Sequence, residues 1–239
     1  MAELAVRVFA REETAGPPVL LLHGFASDGR RDWVATGMAD ALAAGGRRVV
    51  VADLPGHGDS PAPADPARAG AGVIAAALAE AMGPGPFDVV GYSLGARIAW
   101  ELPAAAPGQV RRAVLGGLSP ADPFGALDAG ELRRAVADGH VPADPLTAMI
   151  ADMVLAQGHR AAGLVTCVEG LRATPFEPGA WEGAEPPVFV AGREDVVAAG
   201  IERIVGQVTG ARLVTVAGDH RQALTGPGLR EVVTATLAL

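Results

Sequence analysis

The feature that most constrains this chain is a rhythm in which short runs of valine and leucine, too short for helices, alternate with alanine-rich stretches at helical spacing. The runs are Val19–Leu22, Val49–Val51, Phe87–Val90, Ala113–Leu115, Val188–Ala191 and Leu213–Val216. Each is apolar at consecutive positions and bounded by Gly, Pro or Asp. A strand with apolar residues on both faces must be covered on both, which is the condition of a parallel sheet. The alanine-rich segments near 32–45, 66–82, 95–106, 196–209 and 220–238 supply the covering helices. Strand, helix and strand repeated in this way predict an α/β fold with a mostly parallel, doubly wound sheet.

Two helix starts carry local support. Asp65-Pro66 sets a capping carboxylate before a proline at the first helical position, with Gly83 available to end that helix. Asp219 followed by Gln222 has the spacing of a capping-box variant. The rhythm breaks between Ser119 and about Glu185, where three helical patterns (Leu127–Ala137, Leu146–Leu155, Ala161–Leu171) follow one another without a strand. This predicts a core of residues 1–118 and 186–239 and a helical lid of residues 119–185, inserted between two late strands and folded over one end of the sheet.

At 239 residues with half of them apolar, the chain is long enough to bury a sizeable core without a disulfide or structural metal. Its only cysteine, Cys167, reads as a small apolar residue on a lid helix. A net charge of −8 argues against nucleic-acid binding, which needs a Lys/Arg excess to displace counterions. No run of 18 apolar residues is present to suggest a membrane span, and the N-terminus mixes acid with base and does not read as a secretory signal. The expectation is a cytoplasmic protein, monomeric or homodimeric, acting on a small molecule. The histidines and cysteine lack metal-ligand spacing, and no dinucleotide or phosphate-loop motif occurs, so chemistry without metal or cofactor is expected.

Gly91-Tyr92-Ser93-Leu94-Gly95 falls directly between a strand and a helix. A serine hydroxyl is a weak nucleophile unless presented to a base, and a tight strand-to-helix turn thrusts it out of the sheet edge. The flanking glycines relieve crowding in such a turn, and the N–H groups opening the helix favour developing negative charge. Asp195 lies just past the strand Val188–Ala191, and His220 follows Leu213–Gly218 in the same way. A doubly wound sheet gathers the loops at the C-terminal ends of its strands on one edge, so Ser93, Asp195 and His220 are expected to converge.

With these residues the chain resembles the α/β-hydrolase superfamily over nearly its whole length apart from the lid. Leu21-Leu22-His23-Gly24-Phe25 is similar to that family's oxyanion-loop motif, and Asp53-Leu54-Pro55-Gly56-His57-Gly58-Asp59-Ser60 to its D-x-x-G-x-G-x-S signature. The resemblance implies Ser93 as nucleophile, His220 as general base and then acid, Asp195 as the orienting carboxylate, and the backbone N–H groups of Phe25 and Leu94 as the oxyanion hole. The family's G-x-x-D spacing from Gly192 selects Asp195 over Glu194; Asp122 occupies the place where some families carry the acid instead. His23 and His57 are expected to brace loops, and His140 and His159 to be solvated.

The simplest reaction is hydrolysis of a small or medium carboxylic ester, thioester or lactone through an acyl-enzyme on Ser93. A serine at the elbow argues against the dehalogenase and epoxide-hydrolase relatives, which use aspartate there. Expected substrate contacts are Tyr92, Arg97, Met149 and Met153, with Ile150, Leu155, Phe124 and Phe176 as further apolar candidates. The elbow with Arg97 is also similar to the menaquinone-pathway family that eliminates pyruvate to form 2-succinyl-6-hydroxy-2,4-cyclohexadiene-1-carboxylate. That resemblance implies a triad used for proton abstraction and arginines holding carboxylates; Arg97 matches one such position, and Arg133, Arg134, Arg160 and Arg172 are lid candidates. A hydrolase scaffold turned ligand-binding protein is the non-enzymatic alternative.

Overall fold

The computed structural model describes residues 4–238 and gathers the apolar runs into one seven-stranded sheet. Met1–Glu3, which open the stretch read above for a signal, and Leu239 lie outside the described residues. The strands are β1 (Val6–Phe9), β2 (Val19–Leu22), β3 (Val49–Ala52), β4 (Phe87–Tyr92), β5 (Val110–Gly116), β6 (Val188–Gly192) and β7 (Arg212–Val216). Their order is β1-β3-β2-β4-β5-β6-β7, parallel throughout except for β1, which runs antiparallel on β3 with Val6 opposite Ala52 and Phe9 opposite Val49. Sequence reading missed β1, whose alternating half-exposed pattern over four residues suits an edge strand and resembles none of the buried runs.

Consecutive apolar residues divide between two cores because neighbouring side chains in a strand point to opposite faces. Leu20, Leu22, Val89, Leu115 and Phe189 pack on one face with Ile74 and Leu78 of α2 (Ala71–Met82) and Ile98 and Leu102 of α3 (Leu94–Ala105). Val19, Leu21, Val90 and Val114 pack on the other with Met38 and Leu42 of helix α1 (Met38–Ala44) and with Leu229 and Val233 farther along the chain.

Several expected helices are interrupted. The segment 32–45 contains a π-helical turn at Arg30–Val34 and then α1, separated at Gly37, whose φ of 74° suits glycine. Asp65 does accept the Arg68 N–H, but it caps a 3₁₀ turn at Pro66–Ala69; α2 begins only after Gly70 returns to extended backbone. Of 196–209 only α8 (Glu202–Val205) is helical. The last segment divides into α9 (His220–Thr225) and α10 (Pro227–Thr236) at Gly226-Pro227, because proline lacks the N–H that would continue the first helix.

Between β5 and β6 lie α4 (Pro123–Ala126), α5 (Ala129–Asp138), α6 (Pro145–Leu155) and α7 (Ala161–Ala173). Asp122, Asp128 and Asp144 each cap one of the first three by accepting backbone N–H groups. Helix α7 is tied to the sheet domain: Cys167 Sγ donates to the Pro55 carbonyl at 3.0 Å, and Thr174 Oγ1 accepts the Ala71 N–H at 3.0 Å. Among the described residues no helix is long and apolar enough to cross a membrane.

The strand order fixes where a site can form. From β2 the chain passes to β3 on one side and returns to β4 on the other, so the loops after β2 and β4 diverge and leave a crevice at the C-terminal sheet edge. The opposite end is fastened by Asp88, fully buried in β4 and hydrogen-bonded to Arg47 and Arg111.

Candidate active site

Ser93 turns the chain between β4 and α3 by itself, with φ 55° and ψ −116°. A side-chain-bearing residue held there stores on the order of 1–3 kcal/mol, tolerated only where its surroundings over-determine it. Here the Ser93 N–H donates to the Gly116 carbonyl at 2.8 Å and α3 begins at the next residue. The flanking glycines are required by close approach: a Cβ on Gly91 would lie 2.2 Å from the Gly95 carbonyl oxygen, and one on Gly95 2.1 Å from that of Leu22.

Two other strand ends meet this turn. Asp195 follows β6 and places Oδ2 2.8 Å from His220 Nδ1, at the head of α9. Its other oxygen accepts the Val197 and Ala198 N–H groups at 2.9 and 3.1 Å. Burial pushes the Asp195 carboxyl upward, but the His220 contact and these two amides outweigh it and hold the group below the usual carboxylate range. An ionised Asp195 keeps the proton on Nδ1 and leaves Nε2 as the basic nitrogen. The capping box of α9 is formed, Asp219 accepting from Gln222 N and Gln222 Oε1 accepting from Asp219 N. Glu194 instead accepts the Gly218 N–H, and Asp122 accepts the N–H groups of Phe124 and Phe176, so neither competes for His220.

Ser93 and His220 share the wall of a cavity of about 450 Å³ with Phe25 and Leu94. No hydrogen bond joins Ser93 Oγ to His220 among the described residues. Among those residues neither the Phe25 nor the Leu94 backbone N–H donates to a protein acceptor. Two uncommitted donors beside a serine suit an oxygen that becomes negative during reaction. The rest of the cavity is strongly apolar: Leu118, Phe124, Ile150 and Phe176 line it, joined by the more exposed Met149 and Met153 of α6 and Val196 and Val197.

The neighbouring histidines act on the backbone. His23 Nε2 accepts the Leu54 N–H at 2.9 Å while Nδ1 donates to the Gly24 carbonyl at 2.7 Å, and burial pushes its pKa down. His57 Nδ1 donates to the Pro55 carbonyl at 2.9 Å, its ring meets the Phe25 ring edge-on, and burial drives its pKa to about 3. Both are neutral braces. His159 is exposed and His140 approaches Glu131 at the lid surface. Cys167 is buried and its thiol pushed up to about 12 by that burial, which removes thiolate reactivity.

Some expected substrate contacts require correction. Tyr92 is not on the cavity wall; it is buried against Gly116 and Gly117, and its hydroxyl donates to the His220 carbonyl at 2.6 Å. The side chain before Ser93 points to the opposite sheet face, so Tyr92 supports the histidine from behind. Arg133, Arg134, Arg160 and Arg172 do not line the cavity; Arg133 pairs with Glu169 and Arg134 with Glu131 on the lid surface. Leu155 also lies off the wall. Arg97 does line it, 4% exposed, with Nη2 donating to the Thr174 carbonyl and Nη1 3.7 Å from Asp122. Its Nε and Nη1 have no hydrogen-bond partner.

Sequence reading did not single out Val196, Val197 and Leu118, whose place on the cavity follows only from the tertiary path of their loops. It also passed over Asp32, buried beneath the turn that carries Phe25. Among the described residues no group of His, Cys, Asp and Glu is placed to hold a metal ion.

Comparison with known proteins agrees with this architecture. A family model described as the alpha/beta hydrolase fold matches residues 17–148. A pimeloyl-[acyl-carrier protein] methyl ester esterase of Methylococcus capsulatus is 39% identical over 103 residues, which is 43% of this chain and 37% of that enzyme, so the match spans little more than a third of the relative. Among solved structures, the enol-lactonase of Burkholderia xenovorans LB400 superimposes with a TM-score of 0.74 at 21% identity, covering 99% of this chain and 96% of the other. An esterase from Exiguobacterium antarcticum gives 0.70 at 18% identity, covering 98% and 93%. At such identities the structural matches speak for the shared fold alone.

Proposed function

This chain belongs to the α/β hydrolase fold family, and on that premise we propose that it is a serine hydrolase cleaving small or medium carboxylic esters, thioesters or lactones through an acyl-enzyme on Ser93. The observation that supports this most is the shared cavity wall of Ser93 and His220, with the second imidazole nitrogen held 2.8 Å from a buried, ionised Asp195. In the proposed reaction His220 Nε2 takes the Ser93 proton as Oγ bonds to the carbonyl carbon. The carbonyl oxygen gains the electron pair and rests on the Phe25 and Leu94 N–H groups. His220 then returns the proton to the departing alcohol, and water repeats the sequence on the acyl-enzyme, releasing the acid. The apolar wall receives the acyl or alcohol chain. A cytoplasmic site of action and a monomer or homodimer, expected from the sequence, belong to the same proposal.

A series of p-nitrophenyl esters, with fluorophosphonate labelling located by mass spectrometry, tests this reading. The expected result is turnover of the short members, falling as the acyl chain lengthens, with the label on Ser93. Label elsewhere, or none, overturns the assignment of the nucleophile.

One observation favours a second reading. Arg97 is buried in an apolar cavity with Nε and Nη1 making no hydrogen bond, Nη1 being only loosely ion-paired with Asp122 at 3.7 Å, and a buried donor left without a hydrogen bond costs about 1–3 kcal/mol. A carboxylate-bearing substrate would supply that bond, as the pyruvate-eliminating lyase chemistry requires. Arg97→Ala separates the readings, with a neutral ester controlling for the lost contact to the Thr174 carbonyl. A carboxylate substrate is expected to lose roughly 10- to 100-fold in kcat/KM, the worth of a charge-assisted hydrogen bond, while a neutral ester changes little. Equal losses on both would make Arg97 a fastening of the lid alone.

A further inference from the structure

Resting on the serine-hydrolase reading, we propose that Asp32 is a positioning residue for the oxyanion hole, holding the turn whose Phe25 N–H faces the reacting oxygen. Residues Gly24–Ser27 form a tight turn closed by the Ser27 N–H on the Gly24 carbonyl at 3.3 Å. Asp32 grips both of its ends: Oδ2 accepts the Gly24 N–H at 2.9 Å, and Oδ1 accepts the Ser27 hydroxyl at 2.6 Å. His23 aside, no other side chain hydrogen-bonds this turn among the described residues. The Phe25 N–H belongs to the same planar peptide as the Gly24 carbonyl and points opposite to it. Fixing Gly24 at its nitrogen and its carbonyl therefore fixes the direction of that donor.

The turn needs holding because of Ala26. Its φ of 53° lies in the left-handed region, at the third turn position, where glycine ordinarily stands. Released at its ends, the turn relaxes toward negative φ and redirects the neighbouring peptides. Gly24 lies directly beside the serine, since a Cβ there would make ordinary contact with Ser93 Cβ at 3.5 Å and with Asp32 Oδ2 at 3.7 Å. Asp32 is itself fixed, in the π-helical turn Arg30–Val34, with its N–H on the Asp28 carbonyl and its carbonyl accepting the Thr36 hydroxyl at 2.8 Å. It is 6% exposed and forms no ion pair among the described residues, so its side-chain oxygens are engaged by the Gly24 N–H and the Ser27 hydroxyl.

The test measures kcat and KM for p-nitrophenyl acetate and the inhibition constant of an alkyl trifluoromethyl ketone. The ketone accepts Ser93 Oγ at its carbonyl carbon, the serine proton passes to His220, and the resulting oxyanion occupies the hole. Asp32→Ala is expected to lower kcat about 10- to 100-fold with KM nearly unchanged, and to weaken the ketone by the same factor. Asp32→Asn keeps an acceptor for Gly24 N and presents an amide that Ser27 Oγ can accept, so it is expected to restore kcat to within about threefold. If Asp32→Ala does not fold, Ser27→Ala removes only the Oδ1 contact and is expected to show the same paired loss at about 3- to 10-fold. A folded Asp32→Ala enzyme, or Ser27→Ala in its place, with unaltered kcat and ketone affinity overturns the proposal. Wild-type protein that neither reacts with fluorophosphonate at Ser93 nor binds the ketone overturns the serine-hydrolase reading itself, and the proposal falls with it.

Discussion

Ser93→Ala is expected to abolish turnover, by roughly 10⁶-fold in kcat for an enzyme in which the nucleophile and its base act as one unit. The fold should survive. Alanine keeps the Cβ that occupies the left-handed turn, and the Ser93 N–H still donates to Gly116. The hydroxyl supports no hydrogen bond in the described structure, so thermal stability should move by less than about 1 kcal/mol. Initial rates on p-nitrophenyl acetate together with a thermal melt check this. A variant that melts like wild type yet keeps more than roughly 1% of the rate would remove Ser93 from the chemistry.

Asp195→Asn should slow the reaction by on the order of 10⁴-fold, and the structure gives a specific reason. The Val197 and Ala198 N–H groups both point at one side-chain oxygen, so asparagine must keep its carbonyl there and turn its NH₂ toward His220. A donor facing Nδ1 forces the proton onto Nε2, where the base is needed. Because geometry and volume are nearly conserved, the loss should fall on kcat with binding intact, and burst kinetics with an activated ester would show slowed acylation. A near-normal rate would mean that His220 does not depend on Asp195, and would return attention to Asp122.

The contrast between these residues and the ones sequence reading misplaced is instructive. The turn at Ser93 was legible because a serine placed between a strand and a helix in this way needs glycine at two close approaches, 2.2 and 2.1 Å here, and those needs leave a fixed local pattern. Tyr92 sits inside the same pattern and was misassigned, since strand pleat decides whether a side chain faces the cavity, and the final residue of β4 turns its ring to the opposite core. The lid arginines were equally opaque: on the outside of the lid the α5 cations pair with carboxylates, Arg133 with Glu169 of α7 and Arg134 with Glu131, a matter of which helix face packs inward. Asp32 left no signal because its partners, eight and five residues earlier in the same connection, are a backbone N–H and a serine hydroxyl, and neither constrains the residue type in an obvious motif.

What the sequence determined by itself was whatever depends on neighbouring residues. Runs of consecutive Val and Leu imposed two-sided burial and hence a parallel sheet, Asp and Gly set several helix ends, and the elbow fixed where a hydroxyl leaves the sheet. Tertiary structure decided everything that depends on distance between loops. It turned Asp195 and not Glu194 toward His220, brought Met149 and Met153 onto one cavity wall with Val196 and Val197, and left Arg97 lining that cavity with Nε and Nη1 making no hydrogen bond. The reason is physical. Secondary structure answers to local sterics and periodicity, whereas a site forms where separate strand ends converge, and their separations are set by packing across the whole sheet.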